Sequence, residues 1–179
     1  MKNEQNFYNV LVNELKNKGI RKEYVKGEFL IQEGQIEENI YLIESGAVRV
    51  FHLSEFEEQT IRFGYEGSIL NSLNSFINAT ASEFYIEAMR KTVAYVIDKK
   101  AFVEIVYKDN QSQQAYIKLL ENLVSQQIER EIDILTFSPS ERLKRVLARS
   151  PNLFQQIPLK YIASYLRMTP ETLSRIRNS

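Results

Sequence analysis

From Ala101 to Phe137 the chain contains neither glycine nor proline, and Ile117, Leu120, Val124, Ile128, Ile132 and Leu135 recur there every three or four residues. That period marks one face of an α-helix. A helix of about 25 residues at 1.5 Å per residue is roughly 37 Å long, more than one small domain needs to cover it. The stripe can pack on the chain's own N-terminal part, or it can pair with a second copy of itself as in a coiled coil. Gln126, Gln127, Glu129 and Arg130 interrupt it. In either case the helix separates two stretches of different texture.

Before it, Asn3 to Lys18 spaces Phe7, Val10, Leu11 and Leu15 by three and four, and Gly19 follows, which predicts a short amphipathic helix with a glycine stop. From Tyr24 to Lys99 the runs are short and β-rich: Phe29–Ile31, Ile40–Ile43, Val48–Phe51, Thr60–Phe63 and Val93–Ile97, with glycines at 27, 34, 46, 64 and 67 between them. Closely spaced strands punctuated by turn glycines predict an antiparallel sandwich or barrel, not alternating β-α units. After the long helix, Ser138-Pro139-Ser140-Glu141 carries a capping residue, a proline at the first helical position and a glutamate three residues past the cap. Leu143, Val146 and Leu147 give that helix an apolar face, and Pro151 stops it. Pro158 opens a second helix and Thr169-Pro170-Glu171 caps a third, so three short helices are expected.

The 179 residues suffice for one ordinary domain or two small ones. With 44% hydrophobic and 26% charged residues the chain has the composition of a protein with a packed core. No apolar run reaches the roughly 18 residues that span a bilayer, and the start lacks the layout of a signal peptide, so a cytoplasmic protein without a membrane partner is expected. There is no cysteine, which excludes disulfides, thiolate zinc and cysteine-ligated iron–sulfur clusters. The single histidine, His52, argues against haem or a multi-histidine metal site. Net charge is zero, but the segment from Ser138 onward holds eight basic residues (Arg142, Lys144, Arg145, Arg149, Lys160, Arg167, Arg175, Arg177) and two acidic ones (Glu141, Glu171), a net of +6 that leaves −6 for residues 1–137. Such asymmetry marks either a polyanion-binding module or a solvated basic face.

Ile162 to Ile176 has the layout of a helix-turn-helix. Small Ala163 allows close helix approach; Ile162, Leu166, Leu173 and Ile176 lock the pair to the preceding helix; Met168 plugs the turn. The exposed residues from Pro170 onward would then face a DNA major groove. Glu171 can accept from cytosine N4, and Arg175, one turn on, can donate two bonds to guanine O6 and N7. Thr169, Thr172 and Ser174 can reach phosphates or base edges, and Arg167 and Arg177 add positive charge. A plain αα-hairpin explains the apolar spacing, but not Glu171, Thr172 and Arg175 on one face of a basic segment.

These residues are similar to the recognition unit of Crp/Fnr-family regulators. Tyr24-x-Lys26-Gly27-Glu28-x-Leu30-x-x-Glu33-Gly34, followed by Tyr41-x-Ile43-x-x-Gly46-x-Val48-Arg49-Val50, resembles the opening strands of that family's cyclic-nucleotide-binding β-roll. The resemblance implies an α+β chain: a sensor β-roll with its N-terminal helix over residues 1–108, a dimerisation helix over 109–137 and a helix-turn-helix DNA-binding domain over 138–179. It also implies a homodimer on a near-palindromic double-stranded DNA site, RNA polymerase as a partner and a small-molecule effector of unknown identity. The sequence ends at Ser179, directly after the recognition helix, so a short or missing wing is expected.

The family's phosphate cassette is altered. Ser72 stands at the position of its ribose-binding glutamate, Ser82 at that of its phosphate-binding arginine, and Glu83 where a neutral hydroxyl donates. A carboxylate there repels a cyclic phosphate, so cyclic AMP is not an expected ligand. Asn71, Ser72, Leu73, Asn74, Ser82, Glu83 and Tyr85 remain as a candidate pocket for another effector, or as residues that fill the barrel. In Arg167 the turn has an arginine where glycine often supplies a left-handed backbone. No nucleophile motif, phosphate loop or metal-spaced carboxylate cluster is present, so catalysis is not expected. The alternative to a DNA reader is a ligand- or protein-binding roll whose helical tail serves only as packing.

Overall fold

The computed structural model describes residues 2–55 and 57–178, with side chains from Tyr8 onward; the Phe7 position in the first helix's apolar stripe lies outside the described side chains. In chain order the elements are α1 (Lys2–Lys18), β1 (Ile20–Tyr24), β2 (Phe29–Ile31), β3 (Asn39–Ser45), β4 (Ala47–Leu53), β5 (Glu58–Tyr65), β6 (Ile69–Leu70), α2 (Leu73–Asn78), β7 (Tyr85–Ala88), β8 (Thr92–Asp98), α3 (Lys99–Val106), α4 (Asn110–Leu135), α5 (Pro139–Arg149), α6 (Leu153–Gln156), α7 (Leu159–Tyr165) and α8 (Pro170–Arg177).

Strand β3 reads Ile40-Tyr41-Leu42-Ile43 without alternation because both of its faces are covered. Tyr41 and Ile43 point into the roll with Val48, Val50, Ile86, Ala94 and Val96. Ile40 and Leu42 point outward, where Leu11 and Leu15 of α1, Phe102 and Ile105 of α3 and Ala115 of α4 pack on them. The strands form two antiparallel four-stranded sheets, ordered β1-β8-β3-β6 and β2-β7-β4-β5. This is the antiparallel roll expected from the strand spacing. Its edge strand β5 carries a register shift opposite Val50/Phe51 of β4. Gly46 turns β3 into β4 at φ +95°, and a Cβ there would lie 2.5 Å from the Thr92 hydroxyl and 2.6 Å from the Lys91 carbonyl oxygen. Only glycine meets both demands.

The glycine- and proline-free stretch holds two helices, since Tyr107–Asp109 interrupt it and Asp109 caps α4 by accepting from the Ser112 amide at 2.7 Å. Helix α4 is 26 residues long. Ile117, Val124, Ile128, Ile132 and Leu135 along it are 47%, 60%, 53%, 41% and 76% exposed, an apolar row that the described residues leave largely uncovered.

The C-terminal segment differs from expectation in having four helices instead of three. The additional α6 is a single turn, too short to show a helical period, and it is fixed by burial of Leu153 and Ile157. Leu143, Val146, Leu153, Ile157, Ile162, Ala163, Leu166 and Leu173 form its core, which continues onto the roll through Ala47 and Met89. Two devices dock it. Asp133 of α4, fully buried, accepts from Arg145 Nε of α5 at 2.9 Å and from Arg149 Nη2. Ser164 of α7 accepts from the Thr60 amide and donates to the Glu58 carbonyl, both at 3.0 Å, and so satisfies backbone groups of the sheet's open edge.

Candidate functional site

Helices α7 and α8 are joined by the four residues Leu166–Thr169. Ile162, Ala163, Leu166 and Leu173 are completely buried, so these are the positions that hold the pair together. The turn passes through Arg167 at φ +54°, the left-handed conformation. Thr169 caps α8 by accepting from the Thr172 amide at 3.2 Å, and its hydroxyl also bonds the Thr172 hydroxyl. Both threonines are therefore engaged with each other at the helix start. Glu171, Arg175 and Arg177 are exposed, with Ser174 and Thr172 half-buried between them. Glu171, Ser174, Arg175, Pro170 and Asn178 border one shallow, open surface. The Glu171 carboxyl is held below its usual range by its own backbone amide and the Thr169 hydroxyl, so it is an acceptor at neutral pH.

A second feature lies where α4 crosses the roll. A cavity of about 460 Å³ is lined by Tyr116, Leu119, Leu120, Leu123, Val124 and Gln127 of α4, and on the roll side by Ile40, Val50, Ile61, Arg62, Ile69, Leu70 and Phe84 together with Asn71, Leu73 and Asn74. Of the seven residues expected to form an effector pocket, three thus line it and four do not. Tyr85 is on the outer face of β7, stacked on Phe51 at 4.9 Å and leaning on Phe29. Glu83 is exposed, and its carbonyl meets the His52 ring at 3.0 Å. Ser72 and Ser82 are both buried, and Ser82 donates to Ser72 at 2.9 Å. Ser72 and Ser82 are thus closed on each other.

Beneath them is Glu37, 2% exposed, which the sequence offered no means of singling out. Its carboxylate accepts from the amides of Asn39 at 3.0 Å and Ser72 at 3.5 Å and from the Tyr41 hydroxyl at 3.4 Å. Burial pushes its carboxyl up to about 7 despite these donors. The folded chain therefore keeps a proton that the unfolded chain releases near 4.5. Stability from this group is fully present at acid pH and is lost as pH rises from about 4.5 to about 7. At about 1.4 kcal/mol per pH unit the loss is at most about 3 kcal/mol. Glu37→Gln is expected to remove this component: the difference in unfolding free energy between variant and parent should grow from pH 5 to 7.5 in the variant's favour. A difference constant across that range contradicts the assignment.

Two arginines link the cavity's walls to the helical segment. Arg130 of α4 is 6% exposed and lies 3.9 Å from the Tyr165 ring centroid, with burial lowering its pKa. Arg49 of β4 is held between the Phe51 and Tyr161 rings at 4.0 and 4.2 Å, with Glu58 and Glu87 each at 2.6 Å. The basic excess of the C-terminal segment is also smaller locally than its composition implies, because Arg145 and Arg149 are engaged by Glu129 and Asp133. Among the described residues no three metal-ligating side chains come together, and no helix is long and apolar enough to cross a membrane.

Residues 21–109 match the family model described as the cyclic nucleotide-binding domain. A search of curated proteins finds no significant match. Among solved structures, the chain is similar to a CooA variant from Carboxydothermus hydrogenoformans, at 23% identity and a TM-score of 0.74, covering 93% of this chain and 77% of that one. It is similar to FixK2 from Bradyrhizobium japonicum, at 19% identity and a TM-score of 0.74 over 89% and 83% of the two chains. It is also similar to the catabolite activator protein of Thermus thermophilus, at 20% identity and a TM-score of 0.59 over 94% and 81%.

Proposed function

The chain carries a cyclic nucleotide-binding-type domain at residues 21–109 within a Crp-like fold, and on that premise we propose that it is a homodimeric transcription regulator that reads DNA through α8. The observation that carries this reading is the division of α8 itself: Leu173 is fully buried against the segment's core while Glu171 and Arg175 stand exposed one turn apart. Major-groove recognition gives that exposed pair a use beyond solvation and helix-end charge, because an acceptor and a bidentate donor read cytosine and guanine edges. The exposed apolar row of α4 supports pairing with a second α4, which would cover it and set two recognition helices on one side of a dimer.

Residues 1–108, 109–137 and 138–179 act in this reading as sensor, dimer helix and DNA-binding segment. Cyclic AMP is not the ligand. A cyclic phosphate seated on the Ser72 and Ser82 positions finds no cation there, and the buried Glu37 carboxyl lies directly behind the Ser72 amide. The effector site is instead the cavity between α4 and the roll.

Arg167 supplies the test of the electrostatic half of the proposal. Glycine at φ +54° relieves a backbone cost of about 1 kcal/mol, while loss of the guanidinium removes a phosphate contact. Arg167→Gly is thus expected to raise thermal stability and to weaken binding to mixed-sequence duplex, reducing the slope of log K against log salt by about one per protomer. A variant that gains stability with an unchanged salt slope excludes Arg167 from the DNA contact. A parent chain that shows no salt-dependent binding at all overturns the reading.

A further inference from the structure

We propose that the cavity under α4 takes an apolar organic monocarboxylate, anchored by Arg62 of β5 and the side-chain amide of Asn71. This names the ligand class of the effector cavity and rests on the reading of that cavity as the sensor site.

The argument begins with register. Arg62 is paired with Val50, whose side chain is in the roll's interior, and directly opposed residues of an antiparallel pair share a face. Two residues on, Gly64 has no room on that face, since a Cβ would lie 2.4 Å from Leu70 Cδ2. The inward row of β5 is therefore closed at Gly64 and carries a guanidinium at Arg62. Among the described residues Arg62 forms no ion pair; the group that acts on it electrostatically is the Tyr165 ring hydroxyl, and burial lowers its pKa. Arg62 also borders two adjoining clefts, one of them lined by Tyr165; of their carboxylates, Glu129 is already held by Arg145 and Arg149, and Glu66 forms no ion pair with Arg62. A largely buried guanidinium without a carboxylate partner is costly unless something else supplies one.

Asn71 gives an independent indication. Its side-chain nitrogen is sealed from solvent and has no hydrogen-bond partner, and the residue lines the same cavity. A buried donor of this kind is normally satisfied. The cavity thus offers one cationic and one neutral donor, and no carboxylate is among the described residues that line it. The rest of the wall, including Ile40, Val50, Ile61, Leu120, Leu123 and Val124, is apolar. A matching ligand brings one anionic acceptor group and an apolar body. A cyclic nucleotide, with its ribose hydroxyl and ring nitrogens, brings many polar groups that this wall leaves unpaired.

Calorimetry on the full chain without DNA tests this with two acids, decanoate and 2-naphthylacetate, each against its neutral analogue, 1-decanol and 2-naphthylacetamide. The expected result is that at least one acid binds at one site per chain and at least tenfold more tightly than its analogue. Arg62→Met, which keeps the length and removes the charge, is expected to cancel that preference while the neutral compound binds as before. Asn71→Leu provides a second variant with the charge intact, expected to weaken the acid several-fold and leave the alcohol unaffected. Equal binding of acid and analogue, a preference that survives Arg62→Met, or no binding of either acid overturns the proposal, as does tighter binding of cyclic AMP than of both acids. Because no DNA is present, a failure here leaves the DNA-reading proposal standing. Acid binding by a chain that fails to bind DNA would instead identify a ligand-binding module.

Discussion

Asp133→Ala is expected to cost about 3 kcal/mol and to loosen the helical segment from the long helix without unfolding the roll. Asp133 has no exposed surface, and its two carboxylate oxygens are divided between Arg145 and Arg149. Removing one partner of a buried ionic cluster leaves the others desolvated and unpaired, which typically costs about 3–5 kcal/mol. The lower figure applies because both arginines are about one-third exposed and keep Glu129 at 2.8 and 3.2 Å. Hydrogen exchange resolves the effect by element. Amides of α5 and α7 should exchange roughly a hundredfold faster, while those of β3 and β8 stay at the parent rate. Uniform acceleration over both parts would mean that the segment and the roll unfold as one unit, and no change would mean that the apolar contacts alone hold the dock.

The outline of this fold is written in features with short reach. The turn glycines, the caps at Ser138 and Thr169 and the period of α4 act locally, and each predicts its element. The strand β3 run was legible as a strand, although its lack of alternation becomes intelligible only once helices are seen on the outer face of its sheet. What could not be read depends on register and on distant partners. Tyr85 and Phe84 are neighbours in sequence, yet Phe84, just before β7, lines the cavity while Tyr85, the first residue of β7, stacks outside the roll. Arg62 sits in a run that reads as four strand-forming residues, Thr60 to Phe63, and only pairing with Val50 shows which way it points. Glu37 resembles any loop carboxylate until Ser72 and Tyr41 close over it. The net charge of +6 after Ser138 overstated the free positive surface, since the acids that offset Arg145 and Arg149 belong to α4.

Arg175→Ala is expected to have the largest effect on DNA reading. A bidentate arginine–guanine contact contributes about 1–3 kcal/mol of discrimination, and a dimer makes it twice, so roughly 2–6 kcal/mol is lost on a two-half-site target. That corresponds to at least about thirtyfold in affinity for the preferred site. Binding to unrelated duplex should fall far less, because the phosphate contacts proposed for Arg167 and Arg177 would persist. The exposed position of Arg175 makes the substitution structurally mild, so the thermal transition should not move.

The central claim, that a dimer of this chain reads DNA sequence through α8, is tested most directly by selecting bound fragments from a random duplex pool at about 150 mM salt, with the Arg175→Ala protein run in parallel. The predicted result is enrichment of an inverted repeat whose half-site centres lie about 10 base pairs apart or a multiple of that, present for the parent and absent for the variant. Enrichment of no sequence by the parent, or the same repeat enriched by both proteins, would contradict it.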